Sequence, residues 1–553
     1  MFETLIIWII AFIFSSLSGI LIQSFGINKE NDAYLFTLIS GFCFLVVYSQ
    51  TYSLLFPIKS CVCLGLLLVL LIVLLIINKK KVSECFVKLI NKNKFKTNQI
   101  VVLFIVSVVL LFYFVLVSSQ TSYDIDDLTY HCQAVRWIEE FGVVRGSGLI
   151  NSRVSFNSSL FAVYALFGFR DILGETAHTI NGFVAFITLI GLLIELFKNK
   201  NKYSLCTFGI AVYYIICIKL SLNTLNTDII PNLIICCIIE LWLNYNNKFI
   251  RADLCIVIFI AITMKLSFAM LGIISTLPII EFIKKKEYKQ IAFYSFLGLF
   301  VTLPFLLRNY LISGWLLYPL TAIDIFDVEW KVPAIWAQEQ ADWIYAWARR
   351  GGAEGIEAAH FAFKDWFPMW WIWFAYRNMK IVLVASVLLI ITWIVYFILK
   401  RVRIESHLIT IIMAFLFEDV YWLITAPAIR FAFIPVYVLP VLLLISLPII
   451  DKLTAKYLLK NSIQTISICM IMCYFVLRFT ISDCEMLLVK PSYFSKLKAN
   501  KYRITENITL YYPLKENGWS VGVDFFPGGE YIDKIEQIEP IGKTIKEGFR
   551  IKK

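Results

Sequence analysis

Charge is what this chain has little of. Only 16% of its 553 residues are Asp, Glu, Lys or Arg, while 59% are hydrophobic. A soluble globular domain carries about a quarter charged residues, so a soluble fold is excluded. Histidine is scarce, at four residues, and no HExxH or comparable ligand spacing occurs, which removes the zinc-hydrolase patterns. The 13 cysteines lie mostly inside apolar runs such as "IICC" and "SICMIMCY". Without paired CxxC spacing they mark neither a zinc site nor a disulfide framework, and they read as small hydrophobes. Ten-residue segments of alternating polarity are missing, which argues against a transmembrane barrel. No solenoid period, low-complexity tract or inverted repeat is visible, which disfavours many transporter folds. The first apolar run has no basic leader, so it reads as a permanent helix rather than a cleaved signal.

What the chain does have is apolar runs near or above the ~18 residues that suggest a membrane helix. The expected fold is an all-α polytopic membrane protein of about 14 transmembrane helices. Spans are expected near 4–23, 34–50, 60–77, 99–118, 178–197, 203–221, 229–245, 252–264, 267–283, 291–307, 380–399, 408–425, 431–450 and 463–482. The net charge of +12 gathers in short Lys-rich loops and reads as positive-inside topology rather than nucleic-acid binding. Basic loops at 78–96, 198–202, 246–251, 284–289, 400–403 and 451–461 are therefore assigned to the cytoplasm. Two long apolar runs flanked by basic loops must be hairpins, with tips near Lys265 and at "TAPAIR", Thr425 to Arg430. Parity then puts 119–177, 308–380 and the tail from 482 outside. The expected units are N-terminal helices and a cytoplasmic loop (1–98), a transmembrane core (99–482) and an outer tail (483–553). Period-two hints in the tail, "ITLYYP" and "WSVGVDFFPGGEY", predict a small strand-containing domain.

The densest chemistry is "SYDIDDLTYHCQAVRWIEEFG", residues 122–142, directly after a span. A short helix is expected over 128–141 with Gly142 as its C-cap, and apolar 160–169 is too short to span. The two read as surface helices of a large outer loop. Helical spacing pairs Asp126 with Tyr130, and Asp127 with His131. One carboxylate suits a helix N-terminus as a cap. Three within four residues repel each other and raise at least one pKa. Asp124 and Asp126 have a DxD spacing whose oxygens suit magnesium or manganese. His131 reads as a hydrogen-bonded orienter.

"DDLTYH", Asp126 to His131, with "RVSFNSS" further along the same loop, resembles the GT-C class of integral membrane glycosyltransferases. That class takes a sugar from a polyprenyl-phosphate carrier and holds its catalytic acid in the first large outer loop. The string also resembles a group of uncharacterised bacterial many-span proteins, with "RNYLISGWLLYP" and "APAIRF" as further matches. The second acid is often Glu in the class and is Asp127 here. Four expected spans precede the loop, where one is usual. The resemblance implies Asp126 as catalytic base, with Asp127 next in line.

Such chemistry also needs cations for the departing phosphate. Lys265, Arg308, Arg430, Arg153 and Arg136 are the candidates on the outer side, and Tyr130 and His131 join them as substrate-binding residues. Glu418 and Asp419 stand inside a span, where ionisable groups are costly and face the interior or a wet cavity. They suit acceptor or metal contact, or a structural pairing with Arg430. Asp228 reads as an ordinary helix cap. Trp336, Trp343 and Trp347 share one helical stripe, as an interfacial belt would. The implied activity is transfer of a sugar from a polyprenyl-phosphate donor to an envelope glycan or lipid, on the outer face of the cytoplasmic membrane. A lipid transporter or flippase, and a polysaccharide polymerase or ligase, are the rival readings. If Asp126 is chemical rather than a cap, Lys265 or Arg430 should lie within about a sugar-phosphate's length of it.

Overall fold

The computed structural model describes residues 1–25, 33–92, 95–350, 355–400, 404–448, 450 and 493–552. The expected span at 463–482 and the expected boundary at 483 lie outside these residues. The helices are α1 (Phe2–Phe25), α2 (Tyr34–Leu55), α3 (Ser60–Ile77), α4 (Lys79–Lys92) and α5 (Thr97–Ser118). A loop region follows with α6 (Cys132–Phe141), α7 (Ser147–Ile150), α8 (Ser159–Leu166) and α9 (Arg170–Leu173). The bundle resumes with α10 (Ile180–Asn199), α11 (Lys202–Ile218), α12 (Ile229–Asn244), α13 (Lys248–Met264), α14 (Thr276–Lys284) and α15 (Tyr288–Ser313). Beyond it come α16 (Ala334–Arg350), α17 (Phe363–Met369), α18 (Arg377–Lys400), α19 (Ser406–Thr425) and α20 (Phe433–Ile445).

Among the described residues, nine helical segments are long and apolar enough to cross a membrane, and α11, α12 and α20 are shorter apolar helices. This is a helical membrane protein. Its exposed surface is greasy where lipid would be expected, with Ile381, Val387, Ile391 and Ile398 of α18 all open. At the centre runs α10, buried along most of its length.

Glycine sets the closest helix contact. A Cβ on Gly41 of α2 would lie 1.8 Å from the Ser15 carbonyl oxygen of α1, and one on Gly19 would lie 1.9 Å from that of Thr37. Small residues let backbones meet where lipid offers no hydrophobic driving force between helices. Gly41→Ile is expected to cost about 1–3 kcal/mol or more through overpacking. The check is the yield of monodisperse protein and its melting temperature in detergent, and an unchanged melting temperature would contradict the packing.

Both hairpins form. After Met264 the backbone at Lys265 is extended, and a 3-10 helix, Leu266–Ser275, leads into α14, which packs back on α13. Helix α19 ends at Thr425, residues 426–432 turn, and α20 returns against it. Each tip therefore carries a cation, Lys265 or Arg430, as expected.

In the first large loop, Asp127–His131 is a π-turn rather than the start of an α-helix. Such widened turns are frequent at functional sites. Gly142 closes α6 at φ +79. The apolar 160–169 segment is corrected from a surface helix to an interior one. Every residue of α8 is buried, packed on α2 and α6.

The tail holds strands as expected. Strands β1 (Ala499–Arg503) and β2 (Thr509–Pro513) pair antiparallel, as do β3 (Ile538–Pro540) and β4 (Phe549–Ile551). It is fastened to the first loop. Gln133 donates to the carbonyls of Gly522 and Phe525, both at 2.9 Å, and accepts from the Gly528 N–H at 2.9 Å. Lys534 reaches Glu339 of α16 at 2.9 Å. The three regions that parity assigned to one side thus meet.

Candidate functional site

The three clustered carboxylates divide into three roles. Asp124 is the cap: its Oδ1 accepts the backbone N–H groups of Asp126 (2.8 Å) and Asp127 (3.4 Å). Burial and the nearby Asp127 raise its pKa. Asp127 is a brace. It is fully buried, and its oxygens accept from Ser122 Oγ at 2.7 Å and from the Leu225 N–H at 3.1 Å. It also meets His131 Nδ1 at 2.9 Å, which fixes the imidazole as the orienter reading expects. With its oxygens committed, Asp127 is poorly placed to take a proton from a substrate.

Asp126 is bound differently from its two neighbours. Its Oδ2 accepts from Arg430 Nη1 at 3.1 Å. Arg430 Nε lies 3.8 Å from Asp228 Oδ2, and Asp228 Oδ1 pairs with Lys265 Nζ at 2.6 Å. The two hairpin-tip cations and the two acids form one chain, Asp126–Arg430–Asp228–Lys265. Burial pushes the Asp126 pKa up, but Arg430, His131 and Arg153 outweigh it and hold the carboxyl below its ordinary value. Burial would lower Arg430, yet Asp228 and Asp126 raise it above the usual guanidinium range. Tyr130 sits among Asp126, Arg430, Asp228 and Arg153, and burial drives its phenol well up. The cations lie where the spacing argument asked for them.

The wall above this chain is aromatic. Arg430 lies 4.5 Å over the Trp347 ring, and Lys265 lies 4.7 Å over Phe431. Arg153 lies 5.0 Å over Trp519 of the tail and 3.3 Å from the buried Glu530. Ser152 donates to the same Glu530 at 2.5 Å. Tail residues thus border the site.

Other candidates stand elsewhere. Arg136 is drawn to the tail, donating to the Val523 carbonyl at 2.7 Å and lying 4.7 Å over Phe526. Arg308 is 3% exposed and donates to Ser53 Oγ (2.8 Å) and the Gly142 carbonyl (2.9 Å). Both arginines hold elements together. Glu418 and Asp419 are buried in α19, which packs on the 3-10 segment after Lys265. The pairing with Arg430 is not made; that guanidinium is taken by Asp126 and Asp228. Asp228 is more than a cap. It begins α12 without any side-chain capping bond and serves the cations instead. Its only sequence signal was an acid at a span end. Glu530 and Trp519 gave none, since their partners lie hundreds of residues away.

The proposed metal pair, Asp124 and Asp126, is not the group that converges. Asp124, Asp127 and His131 bring their ligand atoms within 4.8 Å of one another. Asp124 Oδ1 accepts backbone N–H groups, and Asp127 accepts from Ser122 and Leu225 and meets His131. Asp124, Asp127 and His131 are the residues that would hold a divalent cation, with oxygens suited to magnesium or manganese.

Glu139 of α6 supports this loop from behind. Thr176 Oγ1 donates to both its oxygens at 2.9 Å. Burial pushes its pKa up to about 8 from 4.5, against the pull of Thr176 and Arg170. A raised carboxyl stabilises the fold fully below about 4.5, and that contribution is lost as pH climbs to about 8. Glu139→Gln should remove this dependence, up to about 1.4 kcal/mol per pH unit inside the window. Melting temperatures across that window check it; parallel curves for wild type and variant would contradict it.

The family model described as "Domain of unknown function (DUF8201)" matches residues 1–437. The chain belongs to the DUF8201 family. The matched region includes Asp126, Asp228, Lys265 and Arg430, but not the tail with Trp519 and Glu530. No curated protein matches the chain, and no solved structure matches it.

Proposed function

We propose that this DUF8201 member is a membrane glycosyltransferase. It would move a sugar from a polyprenyl-phosphate donor to an envelope glycan or lipid, on the outer face of the cytoplasmic membrane. The observation that carries the reading is the Asp126–Arg430–Asp228–Lys265 chain at two hairpin tips, beside the loop whose motif resembles the GT-C class.

The chemistry follows from the ion pairs. Bonded to Arg430, Asp126 is a weak base, because its proton affinity is depressed. A donor phosphate competes for the guanidinium, since a fork of N–H groups grips phosphate well. With Arg430 and Lys265 turned to phosphate, Asp126 recovers basicity. The acceptor hydroxyl oxygen then bonds to the sugar C1, and the C1–O bond to phosphate breaks with its electrons leaving on phosphate. Asp126 takes the hydroxyl proton, and the two cations hold the new phosphate charge. The test is sugar transfer from a labelled polyprenyl-phosphate donor to glycan in membranes with and without the chain; equal transfer in both would sink the reading.

One observation favours transport of envelope lipids as a second reading. Glu418 and Asp419 stand side by side in α19, 0% and 8% exposed. Ionisable groups inside spans often mark ion or proton pathways. Under that reading Glu418→Gln abolishes lipid translocation while Asp126→Asn leaves it intact.

A further inference from the structure

Three partly open tryptophans line up beside the charge chain. Trp343 and Trp347 stand one turn apart on α16, and Trp519 arrives from the tail with its ring 6.2 Å from that of Trp343. Trp347 is 43% exposed and Trp519 42%. The tail strap holding Trp519 is fixed to the π-turn: Ser520 Oγ meets Thr129 Oγ1 at 3.1 Å, and the Gly522 N–H donates to the Leu128 carbonyl at 2.9 Å. Charges stand at both ends of the row, Arg430 over Trp347 and Arg153 over Trp519. Arg430 also donates to Asp126 Oδ2 at 3.1 Å, so the row ends where the acid begins.

We propose that Trp519, Trp343 and Trp347 form a glycan-binding ledge that presents the acceptor saccharide to Asp126. A pyranose has an apolar C–H face and a rim of hydroxyls. The indole rings suit the face, and Arg153 and Arg430 suit the rim. Rigid amphipathic rings supply contact area with little loss of side-chain freedom. A prenyl chain is the other candidate occupant, but it would meet two guanidiniums, which are costly beside hydrocarbon. The inference deepens the transferase reading and rests on it for the word acceptor; glycan binding itself does not require that reading. The tail thereby becomes part of the site, although it lies beyond the family match.

The experiment reads binding without transfer. Saturation-transfer NMR is run on the detergent-solubilised full chain with tetrasaccharides of glucose, galactose, mannose and N-acetylglucosamine, and with farnesyl phosphate as the lipid probe. At least one tetrasaccharide should bind. Trp519→Leu and Trp343→Leu should each weaken it about tenfold, the scale expected for a lost stacking contact. Trp519→Phe should retain most of the binding, which separates stacking from a collapsed tail. No bound tetrasaccharide, or equal binding by Trp519→Leu and wild type, overturns the ledge. Loss of farnesyl phosphate binding alone assigns the row to the carrier and also overturns it. If wild type binds a tetrasaccharide through Trp519 yet transfers no sugar, the ledge stands and the transferase reading falls.

Discussion

Asp126→Asn is expected to lower sugar transfer by roughly 10²–10⁴-fold, the usual share of a positioned general base, with protein level unchanged. The amide keeps the shape and still accepts from Arg430 Nη1, now 3.1 Å away, so the loop should hold its fold. What it cannot do is take the acceptor proton. Asp127→Asn should behave differently. Asp127 is fully buried and braces Ser122, Leu225 and His131. An amide there places an N–H₂ donor against donors, so the expected result is lower stability, about 1–3 kcal/mol for an unsatisfied buried partner. Melting temperature and rate per folded molecule separate the two variants. If Asp127→Asn lost only activity and Asp126→Asn only stability, the assignment would be reversed.

Arg430→Gln is the second large effect. Arg430 has two jobs in the proposed mechanism, gripping phosphate and holding Asp126 acidic. Loss of a phosphate clamp costs roughly 10²–10³-fold in rate, as for other charge-stabilising donors. The pH profile carries the sharper signature. Removing a nearby cation raises a carboxyl pKa, so the residual activity should lose its acid limb at higher pH than wild type. Arg430→Lys keeps a charge but not the fork; it should restore the acid limb more than the rate. A profile that does not move under either change would mean that Asp126 is not the titrating group.

How much of this was readable beforehand depends on the distance between partners. Spans follow from local hydropathy, and α3 runs from Ser60 to Ile77, matching the expected 60–77. The hairpin tips followed from charge parity, which placed Lys265 and Arg430 on one face. Their meeting with Asp126 and Asp228 is a tertiary fact that parity only permits. The cap among the three acids also follows a local rule, yet which acid caps was settled by the π-turn, whose period differs from that of an α-helix. Arg136, inside α6, and Arg308, in α15, donate to backbone carbonyls, and in sequence an arginine looks alike whether it faces phosphate or a carbonyl. Of the two readings of Glu418 and Asp419, the pairing with Arg430 is not made, since that guanidinium is taken by Asp126 and Asp228. The tail was the least legible part. Trp519 and Glu530 act through contacts with Trp343, Arg153 and Ser152 that no local pattern encodes.

The most direct measurement places purified full-length chain in proteoliposomes with labelled polyprenyl-phosphate sugars and a glycan-lipid acceptor, and follows label reaching the acceptor as free polyprenyl phosphate appears. The account predicts that wild type turns over at least one donor and that Asp126→Asn, at equal folded protein, falls by roughly 10²-fold or more. Equal turnover by the two proteins would contradict the central role given to Asp126, and no turnover of any donor would contradict sugar transfer itself.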